Sequence, residues 1–439
     1  MFLLKKVLNL QLIHFFNNIK VEIFKFKNLS RKPNGYLYEI SREILIYGFG
    51  NGLSKFLTIF LTPILTSVFS PYKLGIIDII ASSSFLLTIF LSLNLESSIQ
   101  RYFYELKDNI EKKILITTTI IFILLLSIPL ILLVFIFKDQ LSILLSININ
   151  YSYLLIISII TVTLQLNYSI ILLYFRLLNQ PIKYLSFNTL LIFLHFFLTT
   201  IFILLLEWGV EGYFVANIFS NLIALIFIVI FNKNIFLLKI NFSLIIKCLK
   251  FALPGFPSVL ISSCILVAPR YLILSYSNLN DVGLYAFALK LSGLLSLIIY
   301  SFQMAWYPFS LKIMHNQDSK EIYNQVYRFT FLILLVLACI MVTTSQFLLN
   351  IFGNYQYKDS LPFFYFLLLA NLTGFQIHFF HLPFSIIEKT IFISLSQLIN
   401  IIILIIIGVI LIYIIGSIGA VIALIIGNLS GVNILYILS

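Results

Sequence analysis

The 439-residue chain is 61% hydrophobic and only 10% charged, whereas soluble domains carry about 25% charged residues. This composition excludes a soluble globular protein and indicates a chain that crosses the lipid bilayer many times. The formal net charge is +12, but the sequence offers no basic soluble domain, so nucleic acid is not expected as a partner. The three cysteines form no CxxC pair and no metal-ligand spacing, so neither a metal site nor a disulfide framework is expected.

Residues 1–43 form a basic segment in which Lys, Asn and His interrupt the apolar residues. The segment has no continuous apolar core and no small-residue cleavage site, so it does not fit a signal peptide. Its composition is typical of an amphipathic helix that lies on an anionic leaflet. We therefore expect a cytoplasmic or interfacial segment, with a loose tail as the alternative.

Twelve apolar stretches follow, each close to the 20 residues that a helix needs to cross a bilayer. They lie at residues 44–67, 75–98, 114–137, 151–174, 184–206, 212–231, 252–276, 283–307, 328–350, 361–386, 391–413 and 417–438. The sequence therefore predicts an all-α polytopic membrane protein with about twelve transmembrane helices.

Basic residues are concentrated on one side of this map. The N-terminal segment and the loops on its side carry 22 of the 28 Lys and Arg residues, the opposite loops carry 3, and 3 lie within spans. Because cytoplasmic loops are enriched in Lys and Arg, both termini are predicted to be cytoplasmic.

Similar local patterns recur at a separation of 206 to 208 residues. The segment GVEGYFVANIFSN at 209–221 resembles GSIGAVIALIIGN at 416–428, with glycine, alanine and asparagine at matching positions. Two further matched pairs are Pro63 with Pro269 and Gly75 with Gly283.

These matches predict two six-helix repeats. We expect an N-lobe at 44–231 and a C-lobe at 252–438, joined by a cytoplasmic linker at 232–251. Because six is even, both repeats insert in the same orientation, as in transporters built from parallel repeats.

Glycine and proline interrupt spans 1 and 7 at corresponding places. The residues concerned are Gly48, Gly52, Pro63, Pro254, Pro257 and Pro269. Proline removes a backbone hydrogen bond and kinks a helix, and interrupted spans at corresponding places in two repeats indicate the moving parts around a substrate path. We interpret spans 1 and 7 as gate helices. The alternative is that Pro and Gly are simply more frequent in membrane helices.

The stretch YGFGNGLSKFLTIFLTPILTSVFSPYKLGIIDII, followed by LNLESSIQRYFYE, resembles the N-terminal signature of the Wzx-type flippases. These belong to the multidrug, oligosaccharidyl-lipid and polysaccharide exporter superfamily. LKFALPGFPSVL and NDVGLYAFALKL resemble the seventh and eighth spans of the same family. The resemblance covers about residues 44–438.

This resemblance implies two six-helix lobes of the MATE type that alternate in access. It also implies a substrate, an undecaprenyl-diphosphate-linked oligosaccharide flipped to the outer face of a bacterial plasma membrane for O-antigen or capsule synthesis. A polysaccharide polymerase and chain-length machinery are the further partners to expect, around a transporter that is monomeric and needs no cofactor.

Three basic residues, Lys55, Arg270 and Lys290, lie within spans. Charges at this depth are costly and usually face a bundle interior or a cavity. Because cations suit an anionic diphosphate, we predict that the three line a substrate cavity between the lobes. For Arg270 and Lys290 the alternative is snorkelling toward the interface.

The acidic residues Asp78 and Glu96 and the basic Arg101 are candidates for ion coupling or gating. The alternative for both carboxylates is a hydrated position near the interface, and for Glu96 a structural pair with Arg101 is a further alternative. His378 and His381 share a helix face, but two histidines alone do not make a metal site. We expect these two histidines, and the isolated His195 of span 5, to bond neighbouring helices, with proton relay as the alternative.

Two other function classes compete with the flippase. A cation-coupled drug exporter of the same superfamily should carry acidic residues in its cavity, whereas most of the charges within spans here are basic. A polysaccharide polymerase or membrane glycosyltransferase needs an outer domain, and the longest predicted outer loop, 138–150, has only 13 residues. The sequence contains no GxxxxGK[ST] nucleotide-binding pattern. It therefore predicts a transporter and not an enzyme.

Overall fold

The computed structural model describes residues 57, 59–237, 239–314, 318–387 and 389–438. All regular structure in these residues is helical, because a chain in lipid must satisfy its backbone hydrogen bonds within each segment. The helices are α1 (Ile59–Val68), α2 (Pro71–Ser92), α3 (Leu95–Phe103), α4 (Asn109–Leu144), α5 (Tyr153–Leu177), α6 (Pro181–Thr200), α7 (Gly209–Phe231), α8 (Phe242–Ala252), α9 (Phe256–Tyr276), α10 (Leu279–Ile313), α11 (Ser319–Thr343), α12 (Ser345–Phe352), α13 (Leu361–Ile386), α14 (Thr390–Ile415) and α15 (Gly419–Leu438).

Ten stretches of the described residues are helical, long and apolar enough to cross a membrane. The longest, Ile391–Ile437, contains both α14 and α15. The chain reverses between these helices at Gly416, where φ is +73°, and the two helices then pack side by side. α1 covers the second part of the first predicted span. Residues 44–56 and 58 of that span, like the predicted interfacial segment 1–43, lie outside the described residues.

Two predicted boundaries differ from the structure. The second span was expected to reach residue 98, but α2 ends at Ser92 because Leu93 and Asn94 take left-handed backbone angles, with φ of 45° and 59°. α3 then starts in a new direction. The predicted linker 232–251 is not a plain loop, since most of its second half forms α8, whose alternation of apolar and basic residues suits a helix that lies on a surface.

The helices α2 and α10 touch through their backbones. A Cβ atom added to Gly75 would overlap the carbonyl oxygen of Leu279, and one added to Gly283 would overlap the carbonyl oxygen of Pro71. The two contacts are reciprocal, because Gly75 and Pro71 correspond to Gly283 and Leu279 at the same separation of 208 residues. Only glycine permits this approach, in the same way that small residues allow close packing of membrane helices generally.

The similar segments at 209–221 and 416–428 form the same kind of helix reversal. Gly209 and Gly416 both have positive φ, 63° and 73°, where a side chain would be strained. Three residues later, Gly212 and Gly419 lie tightly against the preceding helix, so that an added Cβ would meet the backbone of Phe202 at 3.2 Å or that of Leu411 at 2.5 Å.

Buried apolar side chains of the described residues form one large cluster that joins both halves of the chain. The residues of this cluster that belong to the first half of the chain lie at one end of the helix bundle. This end also contains the turns that follow α1 and α9. We call this the outer end, after the predicted topology. There, Ile76 of α2 and Val282 of α10 belong to the same core. At the opposite end the first half has its own cluster around Ile171, and the second half has a small separate one around Phe384.

Candidate functional site

An ion pair joins α2 to α9 close to the outer end. Arg270 Nε donates to Asp78 Oδ2 at 2.7 Å, and the two side chains are 12% and 17% exposed. Arg270 Nη1 also donates to the carbonyl oxygen of Leu266 at 2.7 Å, and the guanidinium carbon lies 5.3 Å from the ring centroid of Tyr285. The arginine is therefore fixed from three directions. The sequence predicts Arg270 as a substrate-binding cation and Asp78 as a coupling or gating carboxylate that is also the one obvious counter-ion for the three basic residues within spans. The structure pairs Asp78 with Arg270.

Lys290 of α10 differs from Arg270 because it makes no ion pair or hydrogen bond with another described residue. It lies within electrostatic reach of Asp78 and of His195 on α6. The predicted spans 252–276 and 283–307 place Arg270 and Lys290 at nearly one depth, 6 and 7 residues from the outer ends of their spans. α10 begins at Leu279, however, so Lys290 is 11 residues from its outer end, or ~16 Å, whereas Arg270 is 6 residues from the end of α9, or ~9 Å.

These residues form what we call the central polar cluster: Asp78, His195, Tyr213, Arg270 and Lys290. The ring of His195 contacts Tyr213 of α7 edge to face, with centroids 5.7 Å apart, and the buried His195 Nε2 has no hydrogen-bond partner within the described part of the chain. Tyr213 in turn lies within electrostatic reach of Asp78. The cluster thus takes residues from α2, α6 and α7 of the first half and from α9 and α10 of the second.

Hydrogen bonds hold the outer end of α1 to the segment that precedes α13. Thr66 Oγ1 donates to the carbonyl oxygen of Phe352 at 2.7 Å, and Asn354 Nδ2 donates to the carbonyl oxygen of Thr66 at 2.8 Å. Tyr357 Oη donates to the carbonyl oxygen of Phe69, also at 2.8 Å. These contacts cross from the first half of the chain to the second, at the end where the two halves share their core.

The expected pair between Glu96 and Arg101 is not formed. Five residues apart on a helix, the two side chains point about 140° away from each other. Arg101 instead lies 4.0 Å from Glu105 and places its guanidinium 4.6 Å from the ring centroid of Phe251. Glu96 accepts a hydrogen bond of 3.4 Å from Ser169 Oγ.

Glu105 connects α3 to α8. Its Oε2 lies 3.1 Å from Lys247 Nζ, and both side chains are about half exposed, so this pair contributes little stability. Arg101 and Glu105 therefore belong to the surface contact between α3 and α8, away from the central polar cluster.

The candidate gate residues lie at different kinds of position. Pro63 is inside α1 and Pro269 is inside α9. Pro254 lies in the single 3₁₀ turn Leu253–Gly255, and Pro257 lies in the first turn of α9. At a helix start, proline loses no intrahelical hydrogen bond, so Pro254 and Pro257 mark a helix junction rather than a kink within a span. Gly48, Gly52 and Lys55 lie outside the described residues.

The sequence predicts that His195 bonds a neighbouring helix, but its Nε2 makes no hydrogen bond with another described residue. The sequence does not indicate the roles of Tyr213 and Tyr285 in this site. His195 is isolated in a long apolar span, and the chain contains 24 tyrosines with no pattern that separates these two from the others. The same holds for Tyr271, whose hydroxyl forms a 2.8 Å hydrogen bond with Ser83 Oγ between α9 and α2.

Residues 40–314 match a protein family described as polysaccharide biosynthesis protein. The chain belongs to this family. No curated protein matches it in sequence. As the sequence predicts, membership of this family points to a transporter of the polysaccharide exporter superfamily and not to an enzyme.

Solved structures of membrane transporters share the fold of this family member. The lipid II flippase MurJ in an inward closed conformation overlaps it with a TM-score of 0.74 at 17% identity, covering 90% of this chain and 87% of the flippase. A multidrug resistance MATE family transporter in an inward-facing conformation gives 0.69 at 15% identity, covering 90% and 93%. The fold is therefore MATE-like, and the chain is a multi-pass membrane protein.

Proposed function

We propose that this protein flips an undecaprenyl-diphosphate-linked oligosaccharide from the cytoplasmic to the outer face of a bacterial plasma membrane. Its family membership supports a role in polysaccharide synthesis, and its fold supports transport. The structurally similar lipid II flippase is named for moving a lipid-linked substrate. The observation that carries the proposal is Lys290, a cation in the central polar cluster with no bonded counter-ion among the described residues.

The charge balance of the cluster favours an anionic substrate. Asp78 and Arg270 neutralise each other, which leaves the charge of Lys290 in excess. A charge in the middle of a bilayer costs about 2.5–3.5 kcal/mol on insertion scales, and such residues are usually functional. A lysine ammonium is a compact point charge that binds phosphate oxygens. Lys55, which belongs to the part of span 1 outside the described residues, is the second candidate cation.

The Asp78–Arg270 pair argues against a cation-coupled drug exporter. Such an exporter needs a carboxylate that is available to a cation. Asp78 is already bonded to Arg270, and Glu96 lies on α3, beyond the end of α2. An anionic lipid diphosphate fits this arrangement of charges better than a cationic drug does.

Alternating access is the transport mechanism we propose. The two repeats, 44–231 and 252–438, would move relative to each other, with both termini in the cytoplasm. Three features support closure at the outer end in this conformation: the shared core, the contact between Gly75 and Gly283, and the Asp78–Arg270 pair. Opening to the outside requires all three to separate. Pro63 and Pro269 would allow α1 and α9 to bend while these three features separate.

A flipping assay with Lys290 variants tests this proposal. Protein reconstituted in proteoliposomes is given a fluorescent undecaprenyl-diphosphate-linked oligosaccharide, and translocation is followed by quenching from one side. Lys290→Ala should slow flipping about tenfold or more, because a hydrogen bond to a charged group contributes about 1.5–3 kcal/mol. Lys290→Arg should keep most of the activity.

Lys358→Ala is the matched control, since Lys358 is exposed and lies outside the central polar cluster. This variant should flip at the wild-type rate. Unchanged flipping by Lys290→Ala would show that the substrate diphosphate does not depend on this cation.

A further inference from the structure

A cavity of about 180 Å³ lies between α10 and α13. We call it the aromatic pocket and define it by Phe302, Gln303, Trp306, His378 and Phe379. The indole of Trp306 stacks against two phenyl rings. Its centroid lies 6.1 Å from that of Phe302 at an interplanar angle of 14°, and 5.6 Å from that of Phe379 at 12°. The aromatic wall of the pocket is therefore closely packed.

The pocket contains polar groups that have no protein partner. Trp306 is only 7% exposed, and its Nε1 makes no hydrogen bond to any residue that the structure describes. A buried donor left unpaired costs about 1–3 kcal/mol, so such a group calls for a water molecule or a ligand. Gln303 and His378 also make no hydrogen bond with another described residue.

His378 and its neighbour His381 have different surroundings. His381 is buried and its Nε2 forms a 2.9 Å hydrogen bond with Ser396 Oγ. His378 lines the aromatic pocket and is exposed there. The prediction that both histidines bond neighbouring helices is therefore met by His381 and not by His378, which leaves the imidazole of His378 available to a ligand.

The pocket lies on the same helix as Lys290 and near the first half of the chain. Gln303 follows Lys290 by 13 residues on α10, or ~20 Å along the axis. Tyr300, one turn before Gln303, lies within electrostatic reach of Tyr184 on α6. This part of α10 therefore borders the first half, as Lys290 does. An extended oligosaccharide can span the distance from a diphosphate at Lys290 to this pocket.

We propose that the aromatic pocket binds one sugar ring of the transported oligosaccharide. This inference rests on the proposed function. The face of an aromatic ring carries partial negative charge, so it attracts the C–H groups on the face of a sugar. The hydroxyl groups at the sugar's edge would bond Trp306 Nε1, Gln303 and His378. Pockets that are mostly apolar with a few convergent polar groups are typical of small-molecule sites. A lipid tail would leave all three polar groups unpaired.

The two tryptophans of the chain, Trp208 and Trp306, make a direct test possible. Trp208 lies at the reversal before α7 and is 47% exposed, so Trp208→Phe leaves Trp306 as the only indole without altering the pocket. The probe is the water-soluble oligosaccharide released from the lipid-linked substrate that the wild type flips. We expect a saturable change in Trp306 emission, and binding about tenfold weaker in Gln303→Ala or His378→Ala.

Two controls separate this inference from the proposed function. Gln325→Ala, at a glutamine bonded to Glu321 on its own helix, should bind the oligosaccharide as the parent protein does, and Lys290→Ala should still bind it while flipping slowly. The sugar site is overturned if the wild type flips the lipid-linked substrate but Trp306 emission does not respond, or if undecaprenyl phosphate without sugar gives the same response. If the wild type flips no lipid-linked oligosaccharide, both proposals fail.

Discussion

Asp78 and Arg270 are 192 positions apart in the sequence, yet their side chains meet at 2.7 Å between α2 and α9. Both are largely buried. Losing one member of such a pair leaves an uncompensated charge in a medium of low polarity. The pair thus links the two halves of the chain. Neither residue can lose its charge without leaving the other charge buried and unpaired.

Removing one charge of the pair should destabilise the protein. We expect Asp78→Asn to lower the free energy of unfolding by about 3–5 kcal/mol, because Arg270 would remain buried without a counter-ion. Thermal unfolding of the purified protein in detergent measures the effect. The charge-swapped double variant Asp78→Arg, Arg270→Asp should recover a large part of the loss. A double variant no more stable than Asp78→Asn would show that the pair interaction itself contributes nothing.

The close approach of α2 and α10 should not tolerate a side chain. We expect Gly75→Val and Gly283→Val each to cost about 1–3 kcal/mol, since the added atoms meet backbone that cannot rotate away. Gly293→Ala, on α10 like Gly283, is the control, because nothing lies within 4 Å of a Cβ atom added at Gly293. That change should be neutral or stabilising by up to about 1 kcal/mol. Thermal stability of the three variants decides the matter, and equal stability would contradict the backbone contact.

Proline within α9 should affect transport rather than insertion. We expect Pro269→Ala to straighten α9 and to slow flipping while the amount of protein in the membrane stays unchanged. Pro63→Ala should act in the same way on α1. Pro257→Ala provides the comparison, because a proline in the first helical turn causes no kink. The hypothesis that α1 and α9 act as gates is wrong if the rates of all three variants match the wild type.

The predicted orientation can be measured with reporter fusions. Fusions after residues 108 and 240 should report the cytoplasm, and a fusion after residue 280 should report the outside, because Lys and Arg mark the cytoplasmic loops. A cytoplasmic signal at residue 280 would overturn the span map, since that position lies just after the turn between α9 and α10.

Much of the architecture could be predicted because lipid imposes simple rules. A stretch such as 391–413 must be a helix in a bilayer, and the helix α14 occupies it. The glycine pairs could also be found, because repetition at one separation is visible in a single sequence. The sequence alone pairs Gly75 with Gly283, and the structure places the two in contact.

The partners of the charged residues could not be predicted in the same way. Nothing local to Asp78 indicates Arg270, since the pairing depends on how α2 and α9 cross. The break after α2 depends on two residues with left-handed backbone angles, Leu93 and Asn94, neither of which is a glycine. The aromatic pocket was equally hidden, because 44 phenylalanines and 24 tyrosines give no signal for the few rings that meet around Trp306.

The reciprocal contact of Gly75 with Leu279 and of Gly283 with Pro71 has the form of an interface between two identical subunits. In a dimer with two-fold symmetry, each contact occurs twice, with the partners exchanged. A six-helix ancestor could therefore have paired with a second copy of itself through this surface before the two copies became one gene. In that history the two glycines derive from a single position, which lay in the interface of both subunits. After fusion the two positions became independent, and each is still restricted to glycine by a backbone carbonyl group of the opposite helix.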